Sequence, residues 1–175
     1  MAQSHEKLVE EWLRRNRYFT IRSARIGYSE IDLLALKVEK TEKDGKLIDK
    51  IVRRHIEVQI SLKPVSYITQ NHAKKRTAEQ IEKDVDSWVH KKYFSNTRQE
   101  IRDAFWGGGT TLEDWNFDFV HYVIKEPIEI ELIKKKGINI ITFENIVKDL
   151  RKDDNLGTAR RGSDAADQVS LLKIK

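Results

Sequence analysis

Two runs of this chain, Tyr-Ser-Glu-Ile-Asp-Leu-Leu-Ala-Leu at 28–36 and Arg-His-Ile-Glu-Val-Gln-Ile at 54–60, have the texture of buried strands yet carry carboxylates. Successive strand side chains point to opposite faces. Ile31, Leu33 and Ala35 therefore share one side of the first run, and Glu30, Asp32 and Leu34 the other. In the second run Ile56, Val58 and Ile60 point one way, and His55, Glu57, Gln59 and Ser61 the other. If the two strands are neighbours, Asp32 and Glu57 converge at one end of a sheet. Burying two uncompensated carboxylates is costly, or forces one to stay protonated. A divalent cation resolves that conflict.

The flanking patterns supply a fold to hold such strands. Leu8, Val9, Trp12 and Leu13 recur at helical spacing over residues 5–16, with Ser4 as cap and Asn16 and Arg17 as the end. Residues 18–22 read as a strand, 23–28 as a basic turn around Gly27, and 30–38 as the first acid-bearing strand. The charged stretch 39–49, with Asp44-Gly45 inside it, reads as an exposed hairpin connection, and 51–62 as the second acid-bearing strand, closed by Pro64. Ala78, Ile81, Val85, Trp88 and Val89 give a helix over about 71–92. A shorter helix at 95–105 leads into a loop at Gly107, Gly108 and Gly109. That loop lacks the Lys-Ser or Lys-Thr of a phosphate-binding loop. A strand at 117–124, a helix at 128–136, a strand at 138–142 and a helix at 143–151 follow. The order predicts one α/β domain over residues 1–152, a mixed central sheet flanked by helices. Residues 153–175 change composition and read as a C-terminal arm ending in a short helix.

The totals narrow the function. Lys and Arg number 33 against 28 Asp and Glu, a surplus of five positive charges that favours a polyanionic partner such as nucleic acid. The absence of cysteine removes disulfides, thiolate zinc sites and cysteine nucleophiles. Residues 1–11 lack the apolar core of a signal peptide, and no apolar run reaches membrane-spanning length, so the expectation is a soluble cytoplasmic protein without a membrane partner.

Magnesium prefers hard oxygen ligands, often one or two carboxylates completed by water and substrate phosphate. Asp32 and Glu57 meet that requirement, and the backbone carbonyl of Val58 adds a further candidate ligand. Glu6 on the first helix, Gly27-Tyr28-Ser29-Glu30-Ile31-Asp32-Leu33 and Ile56-Glu57-Val58-Gln59 together resemble the PD-(D/E)XK, or restriction-endonuclease-like, nuclease superfamily. Within it the likeness is nearest to Holliday-junction-resolvase-like domains, and it covers about residues 4–90. The resemblance implies a restriction-endonuclease-like sheet and hydrolysis of DNA phosphodiester bonds with Mg2+, or Mn2+ in its place. It implies that Asp32 and Glu57 are metal ligands and that Glu6 completes the acidic set, with Glu10 and Glu11 as fallbacks. It also implies a homodimer where two strands are cut.

Two letters depart from the family pattern. Gln59 stands where lysine is usual, and an amide can orient a water but carries no charge. Ile31 replaces the usual proline before the aspartate. Alternatives therefore stay open: a DNA-binding protein without catalysis on the same fold, or a regulatory protein-interaction module. For Asp32 and Glu57 the plain alternative is salt bridging to Arg22 or Arg53. Arg22, Arg25 and Tyr28 precede the acidic strand and are candidates for nucleic-acid contact, Tyr28 by stacking on a base. His72, Lys74, Lys75 and Arg76 follow the second acidic strand and are candidates for phosphate contact, or a solvated helix start. His5 reads as packing, and His55, His90 and His121 have no metal-ligand spacing.

Overall fold

Alternating apolar residues build the centre of a five-stranded mixed sheet. In the computed structural model, which describes residues 2–61, 68–69, 76–124 and 127–154, β1 (Phe19–Ile26), β2 (Ser29–Lys43) and β3 (Lys46–Gln59) form an antiparallel meander. Strands β4 (Trp115–His121) and β5 (Asn139–Thr142) continue the sheet in parallel, so its order is β1-β2-β3-β4-β5. The helices are α1 (Ala2–Arg15), α2 (Ala78–Val89), α3 (Asn96–Trp106), α4 (Pro127–Lys135) and α5 (Phe143–Asp154). A π turn (His90–Phe94) joins α2 to α3, and a 3-10 turn (Leu112–Asp114) precedes β4.

Helices cover both faces. Core residues Leu34, Val85, Val89, Tyr93, Ile101, Phe119, Ile130 and Ile133 join the sheet to α2, α3 and α4. On the opposite face Leu8, Val9, Leu13, Leu33, Ala35, Ile56, Val120, Phe143, Ile146, Val147 and Leu150 join it to α1 and α5. Leu8, Val9 and Leu13 are fully buried, and each such side chain contributes about 1.5–3 kcal/mol. That packing fixes α1, and with it Glu6, against the sheet. No helix among the described residues is long and apolar enough to cross a membrane.

Several boundaries differ from the sequence reading. Strand β1 continues through 23–26, which looked like a turn, because Ala24 pairs with Ile31 and Arg25 with Glu30, leaving only Gly27-Tyr28 between the strands. The charged stretch 39–49 is likewise strand on both sides of a two-residue Asp44-Gly45 turn. Both turn residues have positive φ, 51° and 73°, the geometry whose twist matches the flanking strands. Opposite charges meet across this hairpin at Glu39↔Lys50 and Lys40↔Asp49, which suits charged side chains to a strand pair. From Lys37↔Val52 to Lys43↔Lys46 the hairpin is a bare two-stranded ribbon, since β1 pairing stops at Phe19↔Leu36 and β4 pairing begins at Arg53↔Trp115. Helix α2 begins at Ala78, capped by Thr77 and Gln80, and ends in the π turn; residues 70–75 lie outside the described residues. Ser4 falls within α1 rather than before it.

One break in alternation bears directly on the site. Ile31 belongs to the α2–α4 core together with Ala24 and Leu34, whereas Leu33 faces the α1–α5 core. Strict alternation would have kept Ile31 with Leu33. The register between Arg22↔Leu33 and Ala24↔Ile31 sets Ser23 opposite Asp32, and Ser23 has a φ of 54°. The two strands break alternation at the same level, since Ile21 and Ala24 on either side of Ser23 also face the α2–α4 core.

Candidate active site

The antiparallel register carries the beginning of β2 and the end of β3 to the same end of the sheet. Their ladder stops at Leu33↔Ile56. Beyond it the Asp32 carboxylate takes over as acceptor, receiving the Val58 N–H at 2.7 Å. The Glu57 charge acts on the Asp32 carboxyl, so the two groups lie within each other's electrostatic reach. Burial, and next the Glu57 charge, push the Asp32 carboxyl up to about 7, against the opposing pull of the Val58 N–H and Lys92. Burial raises Glu57 as well, opposed by Lys92 and Arg98. Near neutral pH Asp32 is therefore the group that exchanges its proton.

Two groups brought in by other elements and one from its own strand surround Glu57, which is buried. Lys92 in the π turn donates to Oε2 at 2.6 Å, and Arg98 on α3 places its guanidinium 3.6 Å from Oε1. His55 Nε2 lies 3.2 Å from the same Oε1. The π turn makes the first contact possible, because the widened hydrogen bond from Ser95 N–H to the His90 carbonyl shifts the helix register and buries Tyr93. Tyr93 then anchors the turn by donating its hydroxyl to the Asp118 carbonyl at 2.9 Å.

Glu6 stands apart from its fallbacks. Glu10 is engaged by Arg14 and by the Thr20 hydroxyl, and Glu11 by Arg15. The Glu6 carboxyl is instead raised first by burial and then by the charges of Asp32 and Glu30, with Arg22 pulling it down and Glu57 pushing it up. The helix thus presents Glu6 to the electrostatic field of the sheet-end carboxylates. Glu30 is held low by its hydrogen bond from Arg25, with Ser23 and the Arg25 charge assisting against burial.

The remaining predicted residues divide. Gln59 is exposed at the end of β3 and its amide donates to the Ile68 carbonyl at 3.5 Å, away from the carboxylates. Val58 meets Asp32 through its N–H. Arg22 lies 3.8 Å from Glu10, and Arg25 pairs with Glu30. Glu57 therefore pairs with Lys92 and Arg98, neither of which is Arg22 or Arg53. Tyr28 is fully exposed at the β1–β2 turn. Arg76 is not a phosphate-facing cation: its side chain is buried between Asp84 and Glu129, at 2.8 and 2.7 Å, because it ties the start of α2 to α4. His72, Lys74 and Lys75 lie outside the described residues. His5 packs edge-on against Phe143, with ring centroids 5.7 Å apart.

Sequence reasoning did not single out Lys92, Arg98 or Arg102, and it set His55 aside. His55 was findable, since alternation puts it on the Glu57 face two residues away. Lys92 was not, because nothing in a charged helical run announces a π turn.

The carboxylates fit a hard divalent cation in kind. A buried Glu57 and a part-buried Asp32 that its charge raises, with a backbone carbonyl at the same strand end, form the sparse oxygen set that magnesium completes with water or phosphate. Among the described residues no group of three or more His, Cys, Asp or Glu side chains is placed to hold a metal ion together.

No family model matches the chain. No curated protein matches it. Among solved structures it is similar to the crystal structure of a protein of unknown function, AF1548, at 15% sequence identity and a TM-score of 0.44, over 81% of this chain. The chain spans 57% of that structure's length.

Proposed function

We propose that this chain is a metal-dependent nuclease with a restriction-endonuclease-like fold, hydrolysing phosphodiester bonds in DNA. The observation that carries the reading is the pairing of buried Glu57 with part-buried Asp32, whose desolvation pushes Asp32 up to about 7. Such a pair is unfavourable as structure alone and favourable as a cation site. Asp32, Glu57 and the Val58 carbonyl would hold Mg2+, or Mn2+ in its place. A bound ion of this kind polarises a phosphoryl oxygen and lowers the pKa of a bound water.

The chain's own residues do the rest. Lys92 supplies near Glu57 the positive charge that Gln59 cannot, and its ammonium, about one-third exposed, can turn from the carboxylate to a phosphate oxygen. Arg98 keeps Glu57 ionised when Lys92 does so. Glu6, raised by burial and by Asp32, accepts or holds a proton at the edge of the site. Gln59 orients a water by hydrogen bonding, released from the Ile68 carbonyl. Arg22, Arg25 and Tyr28 line the strand end by which a nucleic-acid backbone would approach, and two copies of the chain would serve a duplex cut on both strands.

One observation favours a second reading, a DNA-binding protein without catalysis. The 2.6 Å contact from Lys92 compensates Glu57 without any metal. Cleavage of plasmid, single-stranded and four-way-junction DNA in magnesium, manganese and EDTA separates the two, with Asp32→Ala run alongside. Metal-dependent cutting that disappears in the variant is the expected result. Salt-dependent binding with no cutting under any condition would overturn the nuclease reading in favour of the second.

A further inference from the structure

Beneath Glu57 lies a buried polar chain that the proposed chemistry has not used. Arg102, on α3, is fully buried. Its Nη1 lies 3.0 Å from His55 Nδ1 and donates to the Tyr93 carbonyl at 2.8 Å, while Nη2 donates to the Gln99 side-chain oxygen at 2.7 Å. Aromatic rings hold the guanidinium from the remaining directions, with Phe117 5.5 Å and Trp115 5.8 Å from its central carbon. The His55 ring is also fully buried, packed against Tyr93 at 5.0 Å and Phe117 at 5.8 Å between centroids.

A guanidinium can only donate hydrogen bonds. The ring nitrogen facing Arg102 must therefore offer a lone pair, and the ring's single proton must sit on Nε2, the atom 3.2 Å from Glu57 Oε1. We propose that Arg102 and His55 are positioning residues that fix the direction of the Glu57 carboxylate, Arg102 by locking the imidazole in the Nε2-protonated tautomer and His55 by donating that proton toward Oε1. Oε1 is thereby held against the interior, and Oε2 is left facing Lys92 and the open end of the site. The orienting bond from the second ring nitrogen is a recognised device for holding a ligating group; here it acts on a carboxylate through the histidine. The lock stands on geometry alone, and its value for cleavage rests on the nuclease reading.

The test is direct. Long-range 1H–15N correlation on the 15N-labelled wild-type protein near neutral pH reports the protonation of each ring nitrogen, and loss of one signal set in His55→Gln assigns it among the five histidines. A protonated Nε2 and a bare Nδ1 are expected. A proton on Nδ1, or on both nitrogens, overturns the proposal whether or not any variant folds. Where His55→Leu and Arg102→Leu keep native spectra, cleavage should fall about tenfold to a hundredfold with DNA affinity retained. His55→Gln should recover most of that loss, because an amide also presents one acceptor and one donor. Wild-type rates in both leucine variants overturn the positioning role. The expected tautomer in a protein that cuts no DNA would support the lock and sink the nuclease reading instead.

Discussion

Replacing Asp32 with asparagine should make the protein more stable, and by an amount that depends on pH. The Asp32 carboxyl ionises at about 7 in the fold instead of its ordinary 3.8. Each decade between folded and unfolded ionisation is worth about 1.4 kcal/mol, so the span corresponds to an upper figure of about 4 kcal/mol. The direction is fixed by linkage. Below about pH 4 both states hold the proton and the group contributes no difference. As pH rises from there through about 7, the unfolded chain releases its proton while the folded chain keeps it, and stability falls. Above about 7 the loss is complete. Asp32→Asn removes this penalty while its amide oxygen can still accept the Val58 N–H. Urea unfolding of both proteins across this range should show a gap near zero at about pH 4 that widens to about 4 kcal/mol above pH 7. Magnesium at a hundredfold excess over its dissociation constant should restore about 2.7 kcal/mol to the wild type and nothing to the variant. A variant no more stable than wild type at alkaline pH, or a gap that does not close on acidification, refutes the account of this carboxylate.

Other outcomes follow from neighbouring contacts. Lys92→Met leaves buried Glu57 with Arg98 and His55 alone; stability should drop by about 3 kcal/mol, and the pH profile of cleavage should move to higher pH, since losing a positive neighbour raises an acid further. Glu129→Gln removes one of the two carboxylates that hold Arg76, leaving Asp84, and should cost about 3 kcal/mol in denaturant titrations without changing DNA affinity. Gly107 ends α3 with a φ of 84°, so Gly107→Ala should lower stability by about 1–2 kcal/mol, read as a reduced melting temperature with the site's activity retained.

Much of this fold was legible because its strands and helices bury opposite faces at different periods. Ile56, Val58 and Ile60 on one side and His55 and Glu57 on the other follow directly from alternation. Alternation failed at Ile31, at the level where the neighbouring strand breaks it too around left-handed Ser23. Charge misled at 39–49, because opposite charges paired across strands resemble a solvated loop when read along one strand. The cations around Glu57 were the least visible part. Lys92 and Arg98 come from a π turn and a helix more than 30 residues further along, and only tertiary packing makes them neighbours. Arg76 shows the converse: a basic residue beside an acidic strand that turned out to tie two helices together.

The bare ribbon beyond Leu36 and Arg53 gives the molecule two timescales. A two-stranded hairpin without a packed face is marginally stable in water, so its cross-strand amides should exchange with solvent through local opening rather than through loss of the whole fold. The amides of β2 and β3 at the carboxylate end lie between buried cores on both faces and should exchange far more slowly. The long hairpin is thus one continuous pair of strands with a frayed end and a fixed end.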